Sequence, residues 1–388
     1  MTSIESATHD GPPAEALLPA FRATDIEVDD DGTLRYYGRP QTEYRRLERQ
    51  LWPLFREYGY EVRLDVVDDS EADPITGVEI SQERQALVAE PRSVGVNGIP
   101  WVNIGMFVAT VVTTLYAGTV WYYQPVGGPL DLLVGWPFTV AVLGVLGIHE
   151  LGHYVLSRHH NVQASLPYFI PVPTLIGTFG AVIKMKGRIP NRKALFDIGV
   201  AGPLAGLVAA IVVAVIGLQL DPVRVPETVL NSESAIQIEI GYPPLLHFLA
   251  WATGGQLDYA DPQLAANPVI FGAWVGLFVT FLNLIPVGQL DGGHIIRAIV
   301  GERSESIAAL VPAGLFTLAA YLYLFREVSP NAPFLWTFWG LIALGLAYVG
   351  PTTPIFDEPL DRKRKAIGVL TFALGILCFT PVPIELVM

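Results

Sequence analysis

Polar and apolar positions divide the chain at about residue 100. Before that point they alternate at short periods. Over residues 42–57, Leu47, Leu51, Leu54 and Phe55 fall on one face of a helix, with Arg and Glu between them. Val62, Leu64 and Val66 alternate with polar residues, as in a half-buried strand, and residues 75–80 read as another short strand. The pattern predicts a small α+β domain over 35–97. Residues 1–34 are acidic and rich in small residues, the composition of a disordered tail. Residues 91–100, with Pro91, Gly95, Gly98 and Pro100, read as a linker. Met1 to Asp10 show neither the basic start nor the apolar run of a signal peptide.

After residue 100 the apolar runs approach the ~20 residues that a membrane-crossing helix needs. Seven stretches qualify: 101–123, 132–156, 196–220, 268–290, 307–325, 334–349 and 366–381. A further apolar stretch, 164–183, is interrupted by Pro167, Pro171, Pro173, Gly177 and Gly180. It cannot continue as a regular helix. It reads as a re-entrant loop or hairpin, which is tolerated at membrane depth only where protein or a wet cavity surrounds it. Residues 243–251 are too few to span and read as interfacial. The predicted fold class is an α-helical polytopic membrane protein: about seven transmembrane helices, a re-entrant or β-hairpin element, and the small soluble α+β amino-terminal domain.

Loop charge orients these spans. Arg158, Lys184, Lys186, Arg188, Arg192 and Lys193 share a side with Arg297, Arg303 and Arg362 to Lys365, whereas the opposite loops offer only Arg224 and Arg326. The basic side is the cytoplasm, so a cell-membrane protein is expected with its amino-terminal domain cytoplasmic and its carboxy terminus outside.

Composition sharpens this division. The 388 residues are 51% hydrophobic and 16% charged, yet the formal charge is −13. Residues 1–100 hold 20 of the 37 acidic and 10 of the 24 basic side chains, a net of −10. The acidity therefore belongs to the polar domain. It argues against nucleic acid as a partner, since phosphates would be repelled. All five lysines lie after residue 183, and an acidic, lysine-free polar domain has a halophile-like composition. The single cysteine, Cys378, excludes an internal disulfide framework and a thiolate zinc cage.

Within the apolar run 140–156 lies His149-Glu150-Leu151-Gly152-His153. On a helix, residues four apart share a face, so both imidazoles can bind one zinc, with Glu150 beside them to take a proton from water. Polar residues at a helix end would be the plain packing account. Ionisable groups inside a membrane are costly, however, and mark function. Such a site needs a third protein ligand. Asp291 is a candidate, the only acidic residue between Asp261 and Glu302, at the cytoplasmic end of its span. A helix stop with an Asp-Gly turn would account for Asp291 and Gly292, but not for Asn283 inside the apolar helix. His294 lies one turn after Asp291 and reads as a polar helix end. His159 and His160 read as solvated.

H-E-x-x-H on one span and N-x-x-P-x-x-x-x-D-G (Asn283, Pro286, Asp291, Gly292) on a later one resemble the site-2 protease family of intramembrane zinc metalloproteases. The resemblance covers residue 132 to about 297. It implies His149, His153 and Asp291 as ligands of one Zn2+ per chain, Glu150 as general base, and Asn283 near the scissile peptide. The stretch Gly177-Thr178-Phe179-Gly180 is similar to the family's strand region beside the active site and implies substrate binding. Ala201-Gly202-Pro203-Leu204-Ala205-Gly206 is similar to its glycine-rich third helix, read here as a close-packing G-x-x-x-G step without chemistry. No PDZ-like insertion is evident, as in the branch with chloroplast and cyanobacterial members. The implied organisation is a protease core over 98–300 with additional transmembrane helices over 301–388. The implied partners are the lipid bilayer and membrane-protein substrates with a transmembrane helix; oligomeric state is open. A rival reading makes the same His, His and Asp an ion path in a metal transporter or sensor, but the other spans offer few further polar ligands.

Overall fold

The computed structural model describes residues 9–72, 79–92, 98–185, 187–231, 237–326 and 328–387. The chain forms two compact units, Met1–Asn97 and Gly98–Met388.

In the first unit, β1 (Phe21–Val28), β2 (Leu34–Pro40), β3 (Tyr60–Ala72) and β4 (Glu79–Pro91) form an antiparallel sheet in the order β1-β2-β4-β3. Helix α1 (Tyr44–Glu57) connects β2 to β3 and buries Leu47, Leu51 and Phe55. These meet Phe21, Leu34, Tyr36 and Leu87, all at most 1% exposed, in the unit's core. The Tyr36 hydroxyl donates to the Pro12 carbonyl. The disordered tail expected over 1–34 is therefore corrected: strand β1 and the start of β2 fall inside it. Alternating apolar positions in Phe21–Val28 are sparse, and it is pairing with β2, from Phe21↔Pro40 to Val28↔Leu34, that orders them. Residues 1–8 lie outside the described residues. So do 75–78 of the strand expected over 75–80, whose remainder opens β4, and 93–97 of the expected linker.

The second unit is mainly helical. Its elements are α2 (Trp101–Trp121), α3 (Trp136–His159), β5 (Tyr168–Pro171), β6 (Thr178–Val182), α4 (Arg192–Leu218), β7 (Val223–Arg224), the one-turn α5 (Glu227–Leu230), β8 (Gln237–Ile240), α6 (Pro244–Thr253), β9 (Leu264–Ala265), α7 (Pro268–Asn283), α8 (Asp291–Val300), α9 (Ser304–Phe325), α10 (Asn331–Val349), α11 (Arg362–Leu377) and β10 (Ile384–Val387). Among the described residues, five stretches are long and apolar enough to cross a membrane: Trp101–Trp121, Pro129–His159, Arg192–Leu218, Asp291–Phe325 and Asn331–Val349. Two of the seven expected spans are shorter, 16-residue helices, α7 and α11.

Helix α7 is the best-buried of the site-bearing helices, with Trp274 at 1% exposure and its indole donating to the Gly241 carbonyl. Gly272 and Gly276 bring it close to α3: a Cβ on Gly272 would lie 2.6 Å from that of Ala141, and one on Gly276 would strike Val145. The apolar stretch expected to reach residue 290 is helical only to Asn283, and Pro286 with Gly288, which the sequence marks as able to break it, lie in the turn that follows. Pro286 has no N–H to give the helix, and Gly288 takes a positive φ of 53°. The chain turns over 284–290 and restarts as α8 at Asp291.

The broken stretch 164–183 is a β5–β6 hairpin with Tyr168 opposite Val182 and a bulge near Pro171. Helix α2 holds it at three levels. Asn103 donates to the carbonyls of Leu166 and Pro167, Thr113 to that of Gly177 (2.6 Å), and the Trp121 indole to that of Leu175. Gly177 is needed at that contact: its φ is +83°, and a Cβ would stand 2.6 Å from the Thr114 backbone.

Candidate metal centre

Helix α3 places His149 and His153 one turn apart, and their Nε2 atoms stand 3.2 Å from each other. Asp291, in the first turn of α8, brings Oδ2 to 3.3 Å from His149 Nε2 and 3.2 Å from His153 Nε2. A carboxylate there also faces the positive end of the helix dipole. The Asn283 side-chain amide, on the last residue of α7, stands 3.3 Å from His149 Nε2. Three elements thus converge on one point. His149 is 3% and Glu150 6% exposed.

Orientation of the imidazoles comes from α4. The Ile198 carbonyl lies 2.8 Å from His153 Nδ1. A carbonyl only accepts, so Nδ1 carries the proton and Nε2 keeps its lone pair toward the centre. Gly202 and Gly206 do more than the helix packing expected of them. A Cβ on Gly202 would fall on the His153 ring, and one on Gly206 would lie 2.9 Å from His149 Nδ1. Antiparallel α3 and α4 thus oppose two four-residue spacings, His149/His153 and Gly206/Gly202. That matched spacing was present in the sequence; the carbonyl of Ile198 left no sequence signal.

The donor set fits zinc. Atoms held at about 2.0–2.1 Å from one tetrahedral zinc lie roughly 3.3 Å apart, and the three donor separations here are 3.2, 3.2 and 3.3 Å. Two neutral imidazoles and one carboxylate leave the fourth position to water.

These side chains line a cavity of about 200 Å³ together with Glu150, Asn283 and residues 181–183 of the hairpin. The stretch expected to bind substrate, Gly177 to Gly180, is set further along β6. Thr178 is buried and bonds the Ile170 carbonyl, while Phe179 is 75% exposed. The cavity wall is instead formed by Ala181, Val182 and Ile183. His294 also lines the cavity, and its Nε2 stands 3.3 Å from Thr352 Oγ1.

His159 is exposed, but His160 is half-buried and paired with Asp197 Oδ2 at 3.0 Å, which corrects its expected solvation. Asp197 also accepts two bonds of 2.8 Å from Arg364. Beside it, Arg192 pairs with Asp357, and the backbone N–H groups of Ile355 and Phe356 donate to Ile189 and Pro190. The segment 352–364 therefore ties α11 to the ends of α3 and α4 next to the centre. Sequence reading missed this network, whose members are up to 167 residues apart.

Residues 137–322 match the family model described as Peptidase family M50. The chain is similar to the protein named probable zinc metalloprotease EGY2, chloroplastic, of Arabidopsis thaliana, 28% identical over 91% of this chain and 60% of that protein. It is also similar to probable zinc metalloprotease EGY1, chloroplastic: 32% identical in Arabidopsis thaliana over 64% of this chain and 43% of that protein, and 33% in Oryza sativa subsp. japonica over 72% and 48%. The chain spans about 60% of the length of the first of these curated relatives. No solved structure matches it.

Proposed function

We propose that the chain is a member of peptidase family M50, the site-2 protease family, and an intramembrane zinc metalloprotease, hydrolysing peptide bonds within or near transmembrane segments of membrane proteins. The observation that carries this reading is the mutual spacing of His149, His153 and Asp291 in a cavity shared with Glu150 and Asn283.

His149, His153 and Asp291 would hold one zinc. When bound, the metal polarises the scissile carbonyl and makes the attacking water more acidic. Glu150, adjacent in sequence to His149 and buried in the same cavity, takes the proton of that water and delivers one to the leaving amine. Asn283 presents its carboxamide at the same depth; with the His149 lone pair engaged, its N–H is free for the substrate oxyanion. Among the described residues, strand β6 pairs with β5 alone. Its other edge, at residues 181–183, can take up an unwound substrate segment by strand addition. Extended backbone is what a helical substrate must supply before its carbonyls can react.

Seven spans are assigned: α2, α3, α4, α7, α9, α10 and α11, with the β5–β6 hairpin re-entrant. A 16-residue helix such as α7 is about 24 Å long, adequate where protein rather than lipid surrounds it. The ends of α3, α4 and α11 joined by Asp197, His160 and Arg364 carry the basic loops, which supports a cytoplasmic mouth for the cavity and a cytoplasmic amino-terminal unit.

The test is the pair Glu150→Gln and Asp291→Ala in the full chain, co-expressed with a membrane-protein substrate. Glu150→Gln should retain zinc and abolish cleavage; Asp291→Ala should lose zinc. Proteolysis that persists in Glu150→Gln refutes the mechanism.

A further inference from the structure

Helix α3 lines the metal cavity with His149, Glu150, His153 and Ser157. Ser157 is one turn beyond His153 and two turns beyond Glu150, spacings that put the three on one helix face. It is 0% exposed, and its hydroxyl has no hydrogen-bond partner among the described residues. A buried hydroxyl without a partner is costly. The usual remedy lies within its own helix. Thr139, also in α3, donates to the carbonyl four residues back, as do Thr110 in α2, Thr280 in α7 and Thr371 in α11. Ser157 does not make that bond. Its partner has to come from the cavity.

Strand β6 runs alongside this helix face. Gly118, near the end of α2, touches Gly135 just before α3, and the hairpin tip is at the same end, where Trp121 donates to Leu175. Strand β6 and α3 therefore leave that end in the same direction. Their levels match as well: a Cβ on Gly147 would stand 3.7 Å from the ring of Phe169, which pairs with Ala181. From there Ala181, Val182, Ile183 and Met185 line the cavity. The four residues from Ala181 to Met185 advance about 13 Å, the rise of about nine residues of α3, which from Gly147 reaches the level of Ser157.

Water satisfies a hydroxyl in a polar cavity while no substrate is there. An unwound substrate displaces that water and brings in backbone groups that have lost their helical partners and need new ones. In an extended chain, carbonyls that point the same way recur every second residue, about 6.6 Å apart. The step from His153 to Ser157 is about 6.0 Å. A scissile carbonyl at the metal ligands thus brings the carbonyl two residues along to Ser157. We propose that Ser157 is a substrate-binding residue, whose hydroxyl donates to the substrate carbonyl two residues from the scissile one, on the flank toward the end of α3. This assignment rests on the protease reading.

The experiment uses the full-length Glu150→Gln chain in nanodiscs and a labelled transmembrane peptide that it retains. Each amide in the central stretch of the peptide is replaced in turn by an ester, which removes the N–H and weakens the carbonyl. Adding Ser157→Ala should weaken binding of the all-amide peptide about fivefold, the scale of one net hydrogen bond, and leave zinc retention unchanged. Ser157→Cys, a weaker donor, should bind like Ser157→Ala. At one position the ester should cost the Ser157 chain about fivefold more than the Ser157→Ala chain. Product masses from the chain with Glu150 intact should place that ester two residues from the cleaved bond. Undiminished affinity in both variants, or ester costs that simply add to the Ser157→Ala loss at every position, overturns the assignment and leaves the hydroxyl to water. So does a coupled ester elsewhere than two residues from the cleaved bond, or loss of zinc in both variants, which makes Ser157 structural. If one ester couples with Ser157 but the chain with Glu150 intact cleaves no peptide, the backbone subsite holds and the protease reading fails.

Discussion

Gly202→Ala separates metal binding from folding. The added methyl falls on the His153 ring. The backbone of α4 is held by its neighbours, so the side-chain imidazole is the group that yields. Rotating it breaks the 2.8 Å bond from Nδ1 to the Ile198 carbonyl, worth about 1 kcal/mol, and an off-rotamer ring costs about 0.5–1.5 kcal/mol more. Replacing helical glycine by alanine returns about 0.5–1 kcal/mol. Net stability without metal should therefore fall by no more than about 1–2 kcal/mol. Zinc affinity should fall more, since losing the partner that orients a histidine ligand typically costs about 10–100-fold. Gly144 is the control: it is on the same helix as His149 with nothing within 4 Å of an added Cβ, so Gly144→Ala should leave zinc affinity unchanged and raise stability by about 0.5–1 kcal/mol. The assay is zinc retention against a graded chelator, with thermal unfolding of the same samples. Wild-type zinc affinity in Gly202→Ala would refute the claim that this glycine exists to seat His153.

Arg364→Gln removes the paired 2.8 Å bonds to Asp197. Both side chains are partly exposed, so the cost should be about 1 kcal/mol; a thermal double-mutant cycle with Asp197→Asn should show coupling, and strict additivity would deny that this link holds α11 in place. In the amino-terminal unit, burial pushes the Tyr36 phenol above its ordinary value of 10.0. A raised pKa favours the protonated folded form, so the contribution is complete below pH 10 and is lost as pH rises beyond it. Base denaturation of this unit, followed by tyrosine ionisation in the full chain, should shift to higher pH in Tyr36→Phe; an unchanged base limb would rule out Tyr36 as its source.

The sequence alone determined the division at residue 100, the existence of most helices, and the His, Glu, His and Asp of the centre. Each of these is a local signal. Hydropathy follows from burial in lipid or protein, and a four-residue spacing on a helix fixes which side chains share a face. Proline and glycine in 164–183 likewise announced a break, because the missing N–H and the positive φ act on their own backbone. Pattern alone failed where partners are distant. Strand β1 looked like part of a disordered tail because its order comes from pairing with β2. The stacking of Gly202 and Gly206 on the two imidazoles, the Ile198 carbonyl on His153 and the bond of Arg364 to Asp197 were decided only by packing of α3, α4 and α11. The residue types at the centre were legible because its chemistry needs rare groups in apolar surroundings. Their orientation was not, because it depends on backbone atoms and missing side chains, which every sequence contains and only the tertiary structure brings into contact.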